Sequence, residues 1–567
     1  MSAGLSPFPA MDLHFLGGAT TVTGSRFLLT TTRARVLVDC GMFQGSPNET
    51  VRNRIPLGFD PGELDAVLLT HAHLDHCGLL PVAVREGFGG PIFATAGTIE
   101  LARLVLLDSG RLNQEFAKRE ARWEKRNPDK VEADDRKETA QFAAAVAQAE
   151  ASAIDPVEAV IDAGTDTPRD ERTGEHLPTG EHVPTSISPG GGLSAAPFDP
   201  EADLRSQPPA LDIDLDAPLY TEDDAEAVLP HFREVRYEDE VEVAPGVHAT
   251  FHDAGHILGS AIIRLRVRDA EGDDDRFLVF SGDLGRPNTP IIRDPTSLVH
   301  ADYVVVESTY GGREHEPHEE AIRILAETVR LVAENDGVLL VPSFAIGRTQ
   351  EIVWELDRLI ERGEIPPLPL YLDSPMASKA TDIYRRHTEY YDEETCAILE
   401  AEGTPLDYPN QTIVNDANES RALQHAARPY MIVASNGMLT GGRVVNHLRN
   451  LIGDPRAVLL FVGYQGEGTL GAHLQAGARE VRLDGQAREV RCQVRSISGF
   501  SAHADESELL AWLGNFKAGK APGDAGYPRR VFLVHGDPEA QQLLAPRVRT
   551  LGFDAYVPRW KERVTLE

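Results

Sequence analysis

The chain has 567 residues, 41% of them hydrophobic and 25% charged, with a formal net charge of −34 at pH 7. That length exceeds what one hydrophobic core serves, so more than one domain is expected, and no apolar run approaches the roughly 18 residues of a membrane span. Such acidity repels nucleic acid at long range without forbidding RNA in a locally charged groove, and its four cysteines, without a CxxC pair, fit a reducing cytoplasm rather than a disulfide framework.

The N-terminus lacks a basic region followed by an apolar stretch, which also points to the cytoplasm. Scarce lysine and abundant carboxylates are what a salt-rich cytoplasm favours, because carboxylates stay hydrated and their repulsion is screened there. A salt-adapted source is therefore expected.

Residues 11–40 hold short apolar segments broken by glycine turns (LHFLGGATTVTGSRFLLTTTRARVLVDCG), the pattern of hairpin strands. LDAVLL is a further strand-length apolar run. THAHLDHCG ends it, placing His71, His73, Asp75 and His76 in a loop at the strand's C-terminal end, and GLLPVAV opens a helix. Arg111 to Lys137 has the composition of a charged helix. From about 131 to 220 the chain turns polar and acidic, as a flexible surface insertion without a catalytic part would be.

Beyond the insertion, the apolar runs FLVF, YVVV, GVLLVP, PLYL, YMIV, VLLFVG and VFLV alternate with helical stretches such as HEEAIRILAETVRLVAE and GRTQEIVWELDRLIER. Strands of this kind alternating with helices imply an α/β architecture with sheets buried on both faces. No internal repeat is apparent.

Several strands end in a residue able to bind metal or move a proton. FLVF is followed by Asp283, YVVV by Glu307 and VFLV by His535, while His256 sits in FHDAGHILGSA. Repeated placement at strand ends brings distant residues to one sheet edge, where sites form. Zinc takes imidazole nitrogen and carboxylate oxygen at roughly 2.0–2.2 Å, and a catalytic ion keeps a position for water. Four residues from one short loop close a single ion poorly and cannot wrap two, so His256, Asp283 and His535 are needed as well. Stripping water from that loop without a metal would be costly. His256 or His535 taken alone would more often be a satisfied buried histidine, and Cys77 reads as a small packed residue.

HAHLDHCG, DAGHILGSA, SGDLGR, ESTYGGR, SGFSAHAD and LVHGD, in this order, resemble the signature motifs of the metallo-β-lactamase superfamily in its β-CASP ribonuclease branch. The likeness is closest to bacterial and archaeal relatives of the cleavage-and-polyadenylation endonuclease. SFAIGRTQE, YLDSPMA, SNGML and VGYQGEGTLG extend it over essentially the whole chain from Met11 apart from the insertion. The resemblance implies an αββα metallo-β-lactamase sandwich over 11–313 and 483–567, interrupted by a β-CASP α/β domain over 314–482, with the site in the cleft between them. It further implies two Zn2+, one held by His71, His73 and His256, the other by Asp75, His76 and His535, with Asp283 bridging. Two ions about 3.5–4 Å apart share a hydroxide and polarise a phosphoryl oxygen, the two-metal logic of phosphodiester hydrolysis.

RNA cleavage must also protonate a leaving ribose oxygen, and a histidine held charged by a carboxylate can do so. The resemblance assigns this to His503, oriented by Glu307; with Asp75 at the ions, these are the expected catalytic groups. Asp505 and Glu508 fit an N-cap and capping box, which sets His503 just before a helix. Small residues and amides where strands meet helices cradle phosphates. On that ground Ser343, Arg348, Ser435, Arg443 and Ser501 are candidates for the RNA backbone, although Arg348 equally fits a helix surface and Ser435 a turn. His315 and His318 in REHEPHEE read as a solvated helix start.

The expected activity is zinc-dependent hydrolysis of RNA phosphodiesters, leaving 5′-phosphate and 3′-hydroxyl ends, with RNA as partner and no membrane. Relatives often pair, so a homodimer is carried over with the resemblance. A DNA-processing nuclease of the same superfamily is the first alternative, though such relatives generally lack the histidine matched by His535. A thioesterase-like hydrolase leaves SFAIGRTQE to VGYQGEGTLG without a role. Complete ligands count against a non-catalytic scaffold of RNA processing.

Overall fold

A computed structural model describes residues 11–566 apart from 46, 129–138, 141, 145, 148–214, 216, 270–273 and 467. The acidic insertion expected over 131–220 therefore lies almost wholly outside the described residues.

Alternation along the strands builds two sheets that share one core. The first runs in the spatial order Glu562–Leu566, Met11–Gly17, Arg26–Thr30, Arg35–Val38, Ala66–Leu68, Ile92–Ala94, Phe232–Glu234. The second runs Ala555–Tyr556, Arg530–Val534, Tyr303–Glu307, Arg276–Phe280, Ala261–Val267, Val247–Asp253, Glu240–Ala244. Val36, Val38 and Leu68 face the second sheet, while Leu37 and Val67 face away from it. Likewise Leu278, Phe280 and Phe532 point between the sheets, and Val279, Val531 and Leu533 point outward. Side chains alternating with period two are what allow one strand to serve two layers. Phe15 and Phe532 meet across the core with ring centroids 5.1 Å apart, and such a buried ring stabilises the packing by about 1.5–3 kcal/mol.

Helices cover both outer faces, giving αββα. Leu509, Trp512 and Leu513 of the helix Glu506–Gly514, with Leu544 and Val548 of Pro538–Leu551, pack on the second sheet. Leu101, Ala102, Val105 and Leu106 of Ala96–Arg126 pack on the first. Residues 129–137 of the charged helix expected over 111–137 lie outside the described residues, and 111–126 form the outer part of this longer element, which ends at Arg126. Its apolar first half hides the helical character of the whole from a reading that follows charge.

A third sheet, in the order Gln411–Ile413, Leu370–Leu372, Tyr430–Ala434, Val338–Pro342, Ala457–Phe461, Gln493–Ser496, is parallel at every pairing. Leu339 and Val341 enter one core beneath it, Val338 and Leu340 the other. Burial on both faces explains the unbroken apolar runs. Its last strand, Gln493–Ser496, lies beyond the 482 limit read from the sequence. The αβα layer is fastened to the sandwich by apolar contact: Ile346, Trp354, Ile383 and Tyr384 share a cluster with Ile257, Leu258, Ile291 and Ile292. Among the described residues no helix is long and apolar enough to cross a membrane.

Candidate metal centre

Parallel pairing of Arg276–Phe280, Tyr303–Glu307 and Arg530–Val534 carries Asp283, Glu307 and His535 to one edge of the second sheet. The first sheet delivers the 71–78 loop opposite them. The connection from Val247–Asp253 to Ala261–Val267 supplies His256. These loops are stitched together through their backbones. Cys40 N–H donates to the His76 carbonyl at 2.8 Å and Met42 N–H to the Leu74 carbonyl at 2.9 Å. Between them Gly41 has no room for a side chain, since a Cβ would lie 1.7 Å from the Asp75 carbonyl oxygen. A Cβ on Gly285 would meet the Gly255 oxygen at the same 1.7 Å, so the SGDLG and DAGH loops touch only because that residue is glycine.

His71 Nε2 lies 3.1 Å from His73 Nδ1, and His256 Nε2 lies 3.2 Å from that same atom. Asp283 Oδ2 completes the group at 3.4 Å from His71 and 3.6 Å from His256. On the other side His76 Nε2 is 3.3 Å from His535 Nε2 and 3.2 Å from Asp283 Oδ1, and His535 Nε2 is 3.6 Å from Asp75 Oδ2. Tetrahedral ligands at about 2.0–2.1 Å from a shared ion stand about 3.3–3.4 Å apart. The observed separations have that spacing, and both groups converge as metal-holding sets.

The electrostatics fit a cation. Burial holds the imidazoles of His71 and His256 well below their usual range and that of His73 down to about 4, so these rings are neutral with lone pairs turned on one another. Burial works against the carboxylate of Asp283, yet the neighbouring histidines, His535 and His76 foremost, outweigh it and hold it well below the usual range. Its Oδ1 is buried without a hydrogen-bond donor. A divalent ion satisfies the orphaned oxygen and the facing lone pairs together.

Partners behind the rings choose which nitrogen faces inward. His76 Nδ1 donates to Asp39 Oδ2 at 2.7 Å, and Asp39 is itself held by the Thr70 amide at 2.8 Å. His256 Nδ1 donates to the Ala502 carbonyl at 3.1 Å. Thr70 Oγ1 stands 3.1 Å from His71 Nδ1, and Thr309 Oγ1 3.2 Å from His535 Nδ1. Asp39 and His535 both adopt left-handed backbone, at φ 59° and 47°, which these residue types tolerate better than most. Sequence reading missed Asp39, Thr70 and Thr309. The DCG closing the strand Arg35–Val38 was the available signal for the first.

His503 stands beside the centre. Its Nδ1 lies 3.1 Å from each oxygen of Glu307, and its Nε2 lies 3.9 Å from Asp283 Oδ2. Burial disfavours its charge, but Glu307 and then Asp283 overcome that and raise it to about 9. Glu307 is wholly buried and also accepts from the Leu284 amide at 2.6 Å and from Thr309 Oγ1 at 2.5 Å. The expected capping box forms, with Asp505 and Glu508 each accepting the other's amide at 2.9 Å.

The residues read as candidates for phosphate separate into distinct places. Arg348 is buried, pairs with Glu351 and lines a small pocket with Gly255, His256, Ile291, Tyr384 and Ala502. Ser501 is next to this pocket in the chain, and its Oγ accepts from the His503 amide at 3.3 Å. Ser343 is fully buried and accepts from Thr349 Oγ1 at 3.1 Å. Ser435 lies 2.9 Å from Ser374, and Arg443 donates to Asp373 at 2.7 Å and to the carbonyls of Val414 and Asn415, within a separate polar cluster. Cys77 is buried with Sγ turned to the Ala72 carbonyl. His318 begins the helix His318–Glu334 but lies 3.1 Å from the buried Glu355, and His315 bonds to the His503 loop, so neither is simply solvated.

Family models match three stretches: the metallo-beta-lactamase superfamily over 20–193, the Beta-Casp domain over 349–474, and the Zn-dependent metallo-hydrolase RNA specificity domain over 488–558. The chain is 33% identical over 548 residues to Ribonuclease TTHA0252 of Thermus thermophilus, covering 97% of this chain and 98% of that protein. It is 28% identical to the transcription termination factor FttA of Methanosarcina mazei, over 94% of this chain and 68% of that factor. The FttA of Methanocaldococcus jannaschii is also 28% identical, with 96% and 70% covered.

Proposed function

Because the chain belongs to the β-CASP family of metallo-β-lactamase-fold hydrolases, we propose that it is a two-zinc ribonuclease that hydrolyses RNA phosphodiester bonds in RNA processing or decay. Asp283 carries this reading, because its two carboxylate oxygens face separate donor sets, Oδ2 toward His71 and His256, Oδ1 toward His76. One zinc is assigned to His71, His73 and His256, the other to Asp75, His76 and His535, with Asp283 shared. Bound zinc would acidify water and neutralise charge on a phosphoryl oxygen.

The side chains do the rest. Asp283 and Asp75 supply two of the negative charges that face the two divalent ions. Glu307 accepts from Nδ1 of His503, leaving Nε2 turned toward the centre with a proton for the departing ribose oxygen. The fragment downstream of the cut then carries a 5′-phosphate, and the upstream fragment ends in a 3′-hydroxyl. RNA is taken to lie beside His256, with Arg348 exchanging its Glu351 partner for a phosphate and Ser501 on the same side. We divide the sandwich from the inserted domain near residue 314 and again after Ser496, where the chain leaves the third sheet.

Purified protein is expected to cut RNA, to stop when zinc is chelated, and to resume when zinc is restored. Linear RNA blocked at either end, compared with circular RNA, reports whether cutting is internal. Preference for DNA in the same assay, or no cleavage by protein with zinc bound, overturns the reading. Replacing Asp39 with alanine frees the Nδ1 of His76 and is expected to weaken zinc at that side roughly 10–100-fold, read by competitive zinc titration. Unchanged affinity removes Asp39 from the centre's support.

A further inference from the structure

His503 must present Nε2 at a defined place, yet it stands on a loop, where side chains are less well fixed than on helices or strands. The segment 498–506 is pinned by the stretch that follows ESTYGG. Ser498 N–H donates to Glu316 Oε1 at 2.6 Å, and Glu506 N–H donates to the Arg313 carbonyl at 3.1 Å. His315 sits between these ties. Its Nε2–H donates to the carbonyl of His503 itself at 3.1 Å, and its own N–H donates to Asp505 Oδ2 at 3.2 Å. A carbonyl only accepts, so Nε2 carries the hydrogen. The Nδ1 of His315 is buried without a partner, and the ring packs edge-on against Tyr310 with centroids 4.3 Å apart. Burying a bare ring nitrogen costs free energy, which the bond made by the opposite nitrogen must offset.

We propose that His315 is a positioning residue for the reaction, fixing the peptide plane of His503 so that its imidazole spans Glu307 and the metal centre. The inference rests on the role proposed for His503. Its chemistry is a single neutral donor on a rigid ring, which holds a carbonyl without adding charge beside the ions. Arg286 braces the loop from the other side, donating to the Gly499 carbonyl at 2.5 Å and pairing with Glu508 at 3.1 Å, so removal of His315 leaves the loop attached but less defined.

The test uses the full chain with zinc bound. His315→Phe keeps the ring against Tyr310 and removes the donor. It is expected to lower kcat about 10–100-fold, as a displacement near 1 Å does, with KM within about twofold and zinc content unchanged. His315→Gln, whose amide nitrogen reaches the place of Nε2, is expected to recover most of the rate, whereas His315→Asn, with its amide at the place of Nδ1, is not. Amide hydrogen exchange over 499–508 should quicken in the Phe and Asn variants and stay near wild type in the Gln variant. In a His503→Ala background the Phe substitution should add no further loss.

Wild-type rate in His315→Phe, equal rates for Gln and Asn, or the same fold-loss with and without His503 would overturn the inference. Should the Phe variant fail to fold, the Gln and Asn comparison decides alone. RNA cleavage by the wild type is measured first: its absence sinks the proposed activity, whereas an active wild type with an unimpaired Phe variant sinks this inference only.

Discussion

Replacing Asp283 with alanine is expected to release zinc from both sides of the centre and to lower RNA cleavage roughly 10⁴-fold, since the ions contribute several kcal/mol of charge stabilisation. Its carboxylate stands within 3.6 Å of nitrogens of His71, His76, His256 and His535, so it touches proposed ligands of both sets. Removing it leaves neutral imidazoles facing one another across a buried space, with the shared negative charge gone. Metal analysis should find well under two zinc ions per chain. Asp283→Asn, which keeps the shape and loses the charge, should retain metal better than alanine and remain slow. A variant that holds two ions and cleaves at the wild-type rate would remove Asp283 from the centre altogether.

The second large effect is kinetic without loss of metal. His503→Ala is expected to reduce kcat by about 10²–10⁴-fold, the usual worth of a positioned proton donor, while zinc content stays near wild type. His503 lies 3.9 Å from Asp283 and is bound through Glu307, so its removal leaves the nitrogens and oxygens of both donor sets in place. Substrates with a better leaving group need less protonation, so the deficit should shrink on an RNA analogue bearing an activated leaving group. If the deficit is the same on both substrates, or if zinc is lost, His503 acts through the metal site rather than on the departing oxygen. Glu307→Gln should follow His503→Ala in direction with a smaller loss, because the amide still orients the ring but supports its charge less.

Much of this was legible along the chain. Unbroken apolar runs mark strands of the sandwich and of the parallel sheet alike, because burial on both faces leaves its trace in neighbouring residues. Compact motifs such as HAHLDHCG show their chemistry wherever they occur, since imidazoles and carboxylates that close together are costly to bury without a cation. The long helix Ala96–Arg126 was only half visible: its inner half is apolar and its outer half charged, so no single periodicity runs through it.

Residue types and their order along the chain thus determined the architecture and the inventory of candidate ligands. Tertiary structure alone decided how they are used. Which nitrogen of His76 or His256 faces inward depends on Asp39 and on the Ala502 carbonyl, residues far from those histidines in sequence. Arg443, attractive for phosphate when read in its motif, is occupied by Asp373, while His315, taken for a surface residue, reaches the backbone of His503. Hydrogen-bond partners are chosen by distance in space, and no local pattern records which distant strand end will arrive beside them.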